Sequence, residues 1–314
     1  MIVLTIMGVG FVLVEIAGHL FPDLGEGHYT YPFFDYITPG FDPLNKATEI
    51  LRADEQETSR ACYERGRAHL RARDFTRAIF DFSQTISLRP DSSKAYLGRG
   101  MARAANHDFT RAIADYTKSL DLNPNDPITY RSRAWAYYKM GRTDDSIADY
   151  TKAIGLDSGN TTAYFCRAHD YVVKGKFEEA IADFSKAADL SPAGGRAFNG
   201  RAWALYQIGK LDEALADANQ AVTLCPLWSY AYGTRGWIEF SRGDTNRALS
   251  DCTKAVQLSS NDVAAYYDGG LIHYMAHEYP AAISNWNQAT AESPLARREL
   301  KPWIEKAQQN LTNP

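Results

Sequence analysis

The segment HYMAH places His273 and His277 four residues apart. On a helix, side chains at i and i+4 share a face, so two imidazoles at this spacing have the geometry to hold a divalent metal ion. The sequence has no HExxH, the form in which such a pair comes with its own general base. GVG at residues 8–10 lacks the rest of a dinucleotide-binding fingerprint and sits in an apolar stretch. Cys62, Cys166, Cys225 and Cys252 form no CxxC and fit no zinc spacing, so free thiols are expected. No nucleophile can be matched to a base. These observations predict no cofactor and no enzyme. A metal-dependent enzyme using His273 and His277 stands behind the two other functional readings given below.

Charge shows a stricter pattern. Arg65, Arg99, Arg133, Arg167, Arg201 and Arg235 follow one another at intervals of 34 residues. Asp81, Asp115, Asp149, Asp183, Asp217 and Asp251 each stand 16 residues after one of these arginines. At the next place in both series the residues are Gly269 and Asn285, so the two partners disappear together. Joint loss predicts a structural ion pair at each of the six places, rather than a row of arginines awaiting an acidic ligand. The net charge of −4, with no Lys/Arg run longer than two, argues against a nucleic-acid partner.

The elements that would position these residues are written in the same period. DFTRAI at 74–79 recurs at 108–113, and ADYTK at 114–118 recurs at 148–152. Blocks of 34 residues starting at 59, 93, 127, 161, 195, 229 and 263 align the chain. Block position 8 is Gly66, Gly100, Ala134, Ala168, Ala202, Gly236 and Gly270, and position 20 is also small in every block. Position 24 holds Phe82, Tyr116, Tyr150, Phe184, Ala218, Cys252 and Trp286. Position 32 is proline in five of the seven, and proline cannot continue a helical hydrogen-bond ladder. Two apolar runs of helical period flank a polar turn such as MGRTDD, which reads as a helix-turn-helix unit. One such pair cannot bury its apolar face alone, whereas stacked neighbours can.

Small at 8 and 20, aromatic at 24 and proline at 32, in a 34-residue period, resembles the tetratricopeptide repeat. The resemblance covers about three quarters of the chain. It implies an all-α fold, a right-handed α-solenoid (superhelix) of seven repeats over 59–294, with a concave groove lined by the first helices. Residues 295–314 then form a capping helix with Leu300, Trp303, Ile304, Ala307 and Leu311 on one face. By this analogy groove positions are 2, 5, 9, 12 and 13. They hold Trp135, Tyr138, Phe165, Trp203, Tyr206, Trp237, Phe240, Tyr267 and Tyr274, an aromatic and weakly charged wall. Some of these could instead pack between adjacent first helices. Relatives that grip a terminal carboxylate use Lys, Asn and Arg at set positions. The first three repeats here offer Tyr63, Arg67, Gly98, Ile128 and Ser132 instead, so a carboxylate-tail partner is disfavoured. Expected instead is a protein or peptide partner, an apolar peptide or helix laid in the groove.

The amino terminus adds a separate expectation. Residues 1–20, MIVLTIMGVGFVLVEIAGHL, are apolar over a length that would just span a bilayer core, apart from Glu15. A membrane anchor is expected there, with the body extracytoplasmic, although a signal peptide or a buried helix would share the composition. Residues 21–43 form an aromatic, Gly- and Pro-containing linker, and 44–58 a helix shielding the first repeat. The leading reading is a membrane-anchored interaction scaffold. The alternative is a self-occluded regulator whose 21–43 segment occupies the groove. Oligomeric state is not readable.

Overall fold

The computed structural model describes residues 55–259 and 263–312. Fifteen α-helices and no strand occur among them. In chain order they are α1 (Glu55–Arg71), α2 (Phe75–Leu88), α3 (Ser93–Ala105), α4 (Phe109–Leu122), α5 (Pro127–Lys139), α6 (Thr143–Leu156), α7 (Thr161–Val173) and α8 (Phe177–Leu190). They continue as α9 (Gly195–Gln207), α10 (Leu211–Leu224), α11 (Ser229–Ser241), α12 (Thr245–Leu258), α13 (Val263–Met275), α14 (Tyr279–Glu292) and α15 (Pro294–Thr312). The architecture is an all-α helical repeat solenoid. Contacts divide the chain into two compact units, one ending at Asp170 and the other beginning at Tyr171.

Each turn inside a repeat is closed in the same way. Block position 15 has positive φ throughout: Arg73, His107, Gly141, Gly175, Gly209, Gly243 and His277. That left-handed residue lets the N–H of position 16 reach back to the carbonyl of position 11, as in Asp74 to His69 at 2.9 Å and Glu278 to His273 at 2.8 Å. The second helix starts at once. Asp74, Asp108 and Asp244 cap it by accepting the N–H of Arg77, Arg111 and Arg247. Where a basic residue holds the cap place, two carboxylates fill the first turn instead: Asp144 and Asp145, Glu178 and Glu179, Asp212 and Glu213. From α2 through α12 the second helices end at position 30, two residues before the proline site.

The core comes from fitting glycine to aromatic. A Cβ on Gly100 would lie 2.7 Å from the Tyr116 ring, and one on Gly270 would lie 2.3 Å from Trp286. In these blocks position 8 is bare where a large ring fills position 24, whereas the blocks of Tyr150 and Phe184 carry Ala134 and Ala168 there. Gly98 and Gly200, at position 6, make the same room for the ring of the preceding repeat, Phe82 and Phe184. Phe82, Tyr116, Phe184 and Trp286 are buried, each contributing about 2–3 kcal/mol of transfer free energy. The last helix closes the array through Trp303, which meets the rings of Tyr274 and Trp286 at 5.6 and 6.2 Å.

Two expectations about the amino-terminal region change. Membrane anchoring with an extracytoplasmic body is corrected: among the described residues no helix is long and apolar enough to cross a membrane. The described helices are 13–19 residues long, and the longest, α15, carries Arg297, Arg298, Glu299 and Lys301. Residues 1–20 lie outside the described residues, as do 21–43 and most of 44–58. The described end of the shielding segment, 55–58, belongs to α1 itself, because nothing between Glu55 and Arg71 breaks the helix.

Candidate functional site

The arginine–aspartate series forms bidentate pairs. Arg99 Nε and Nη2 donate to the two carboxylate oxygens of Asp115 at 3.0 and 2.7 Å. The corresponding distances are 2.7 and 2.9 Å for Arg133–Asp149, 2.6 and 2.8 Å for Arg201–Asp217, and 2.7 and 2.7 Å for Arg235–Asp251. Arg65 meets Asp81 at 2.6 Å. Of the sixth pair, Arg167 belongs to the first unit and Asp183 to the second. The hydrogen bond donated to the aspartate raises the Arg201 and Arg235 guanidinium pKa, with burial opposing it.

Each arginine from Arg99 to Arg235 has two further engagements that the sequence reading missed. Its Nη1 donates backward to the preceding repeat, to Ser83, Thr117, Thr151, Ser185 and Asn219, each 16 residues earlier. Its plane lies over a ring three residues before it: Tyr96, Tyr130, Tyr164, Phe198 and Tyr232, with centroid distances of 5.4–5.8 Å. The signal was present, since block position 25 is a hydroxyl or amide wherever an arginine follows, and position 4 is aromatic from the second block onward. Arg99, Arg133, Arg201 and Arg235 thus hold an aspartate, a ring and the preceding repeat at once.

The groove-facing series separates by depth. Trp135, Trp203 and Trp237 are only 8%, 4% and 3% exposed. Trp135 packs among Met101, Ala104, Ala112 and Tyr116 and against the Phe109 ring, and all three indoles lie below the surface of the first-helix face. Phe165 and Tyr267 are buried in the same way. Tyr138, Tyr206, Phe240 and Tyr274, all at position 12, are half-buried; Tyr138, Tyr206 and Phe240 form the accessible part, and the Tyr274 ring also packs against Trp286 and Trp303. In the second unit α9 touches α11 and α11 touches α13, so Tyr206, Phe240 and Tyr274 follow one another along the first-helix face. Tyr206 accepts a hydrogen bond from Ser241 at 3.3 Å, and burial raises its hydroxyl pKa.

A buried polar cluster lies at the end of the first unit. Asp170 Oδ2 accepts the Ser146 hydroxyl at 2.6 Å, while Asp170 Oδ1 is buried without a partner. Burial pushes the Asp170 carboxyl up to about 7 and the His169 imidazole down to about 3. Ser146 is the one hydroxyl in the otherwise alanine position 20.

The histidine pair is not a two-point ligand set on one helix. The helix carrying His273 ends at Met275, and His277 is the left-handed turn residue. His273 Nδ1 lies 2.8 Å from Glu278, and His277 Nδ1 lies 2.9 Å from the Tyr279 hydroxyl. Among the described residues no group of three or more His, Cys, Asp or Glu is placed to hold a metal ion. The four cysteines are free thiols.

Comparison with known proteins follows the geometry. Models described as tetratricopeptide repeat match residues 63–127 and 167–227, and residues 115–148. The chain is similar to a tetratricopeptide repeat protein from Parabacteroides merdae ATCC 43184, at 20% identity over 82% of this chain and 100% of that one, with a TM-score of 0.66. It is also similar to a chain of the APC/C hetero-tetramer Cut9–Hcn1, at 16% identity over 88% of this chain and 52% of that one, with a TM-score of 0.62. Similarity to MamA is 21% identity over 55% of this chain and 93% of that one, with a TM-score of 0.51. At these identities the likeness concerns fold alone. No curated protein sequence matches the chain.

Proposed function

We propose that the chain, whose repeats match the tetratricopeptide repeat, is a protein–protein interaction scaffold that binds an apolar peptide or helix of a protein partner along its first-helix face. The observation that carries this reading is the run of half-buried aromatic rings at position 12, Tyr206, Phe240 and Tyr274, on consecutive first helices of the second unit. Aromatic side chains that keep part of their surface in water, over a rigid floor of Trp203 and Trp237, supply large contact area at low entropic cost. The mechanism is burial of apolar surface against rings already in place, with no bond made or broken. Removal of a floor tryptophan would act on the fold itself, so the accessible rings are the proper probes.

The test is affinity capture by the full chain beside two variants. Tyr206→Ser/Phe240→Ser alters the groove face, and Phe80→Ser alters a side chain that is 59% exposed on a second helix. A protein retained by wild type and by Phe80→Ser, and lost with the groove variant, supports the reading. Equal retention by all three would reject the groove.

A further inference from the structure

We propose that the pocket at the amino-terminal end of the first unit is the receptor for this chain's own segment 21–43, FPDLGEGHYTYPFFDYITPGFDP. The pocket, of about 160 Å³, lies between α1, α3 and the start of α5, with Tyr63, Leu70, Leu97 and Met101 as its apolar lining. Arg67, Arg71 and Lys94 stand around that lining. A second depression beside it shares Lys94 and adds Arg60 and Arg89. This end of the array is basic although the chain as a whole carries −4.

The local carboxylates do not neutralise it. Glu64 engages Arg67 at 3.1 Å. Asp126 caps α5, accepting the N–H of Ile128 and the hydroxyl of Thr129. No carboxylate of the described residues bonds to Arg71 or Lys94, and Arg71 Nε is buried with no hydrogen-bond partner. Burial, and then the neighbouring Arg67 charge, lowers the Arg71 pKa, with the Glu64 charge opposing them. With Glu64 committed to Arg67, the half-buried Arg71 and the nearby Lys94 over an apolar floor call for an anionic, aromatic ligand.

Segment 21–43 has that chemistry. It contains Asp23, Glu26, Asp35 and Asp42, no lysine or arginine, and the rings of Phe21, Tyr29, Tyr31, Phe33, Phe34, Tyr36 and Phe41. The chain's first basic side chain is Lys46. Connection favours the same molecule. The eleven residues 44–54 reach about 35–40 Å when extended. Tyr63 and Leu70 lie only about 12–23 Å along α1 from Glu55. A tether of this length gives an effective concentration on the order of millimolar, which a second copy at micromolar concentration does not match. The pocket is then closed to other acidic ligands until one displaces the segment. This proposal concerns the first unit and does not rest on the aromatic face of the second.

The experiment uses the full chain with a photo-crosslinking benzoylphenylalanine in place of Phe34, with cross-linked peptides mapped by mass spectrometry. The expected result is a link within one molecule to α1 or α3, with a yield independent of protein concentration. Arg71→Glu/Lys94→Glu should lower that yield by about tenfold, and adding Asp35→Lys/Asp42→Lys should restore it. Raising salt from about 0.1 to 0.5 M should lower the wild-type yield without any substitution, because the Debye length shrinks from about 10 Å to about 4 Å. Links between two molecules would assign the pocket to a second copy and overturn the proposal. Links outside α1 and α3, or a yield indifferent to both charge reversal and salt, would also overturn it.

Discussion

Asp170→Asn separates two titrations that oppose each other at adjacent residues. Burial raises the Asp170 carboxyl from 3.8 to about 7, against the Ser146 hydrogen bond, which lowers it. Burial lowers the His169 imidazole from 6.5 to about 3. The signs differ. The folded chain holds the Asp170 proton more tightly than the unfolded chain, so that contribution is complete below about pH 4 and is lost as pH rises through about 7. His169 stays neutral when folded, so its contribution is present above about pH 6.5 and is lost as pH falls toward about 3. Between pH 8 and pH 5 the carboxyl adds about 3 kcal/mol and the imidazole removes about 2 kcal/mol. The two nearly cancel, and wild-type stability shifts by only about 1 kcal/mol from this cluster. The Tyr138 hydroxyl, pushed up to about 12 by burial and then by Asp170, does not titrate in this window. With Asn at 170 only the imidazole remains, so the variant should lose about 2 kcal/mol of stability on going from pH 8 to pH 5. Urea unfolding of both proteins at pH 5, 6.5 and 8, followed by far-ultraviolet circular dichroism, reads the difference. Parallel pH profiles for variant and wild type would refute the opposed-titration argument.

Three further outcomes follow from the packing. Asp149→Ala should cost about 3 kcal/mol by leaving Arg133 partly buried without its carboxylate, whereas Arg133→Met/Asp149→Leu should recover most of that loss; urea midpoints of the three proteins test it. Tyr116→Phe should stabilise by about 1 kcal/mol, since the Tyr116 hydroxyl is buried without a partner, and a lowered melting temperature would contradict this. Gly100→Ala should destabilise by about 1–3 kcal/mol in thermal unfolding, because the Tyr116 ring stands 2.7 Å from the new Cβ and outweighs the roughly 1 kcal/mol gain in helix propensity.

The period, the small residues at 8 and 20 in all seven blocks and the aromatic at 24 in five of them were legible because they are repeated packing constraints. The turn was legible only in part. Arg73, His107 and His277 occupy the same left-handed position as four glycines, and the i, i+4 spacing of HYMAH alone does not show that the helix carrying His273 stops at Met275. Depth was harder than direction. Helical period places Trp203 and Tyr206 toward one side, but which ring lies between helices and which stays in water depends on the approach of the next repeat. Arg67, Arg71 and Lys94 stand apart in the first two repeats, and nothing in the sequence groups them. Their convergence on one pocket needed the fold. Membrane anchoring was read from the composition of residues 1–20 alone and finds no support among the described helices.

The arginine's two reaches have equal length, 16 residues forward to the aspartate and 16 back to the preceding repeat. That equality makes the junction modular. A recombination that deletes or duplicates whole 34-residue blocks among the second to the sixth rebuilds the complete clasp at the new seam, whichever of these repeats become neighbours. A deletion of any other length strands a guanidinium at the seam. The seventh block is the exception. With Gly269 in the arginine's place it offers nothing to Thr253 behind it, so a copy of it transplanted inward would interrupt the series. Gene rearrangement can therefore change the length of this array ahead of that block, while the block itself marks where the array stops.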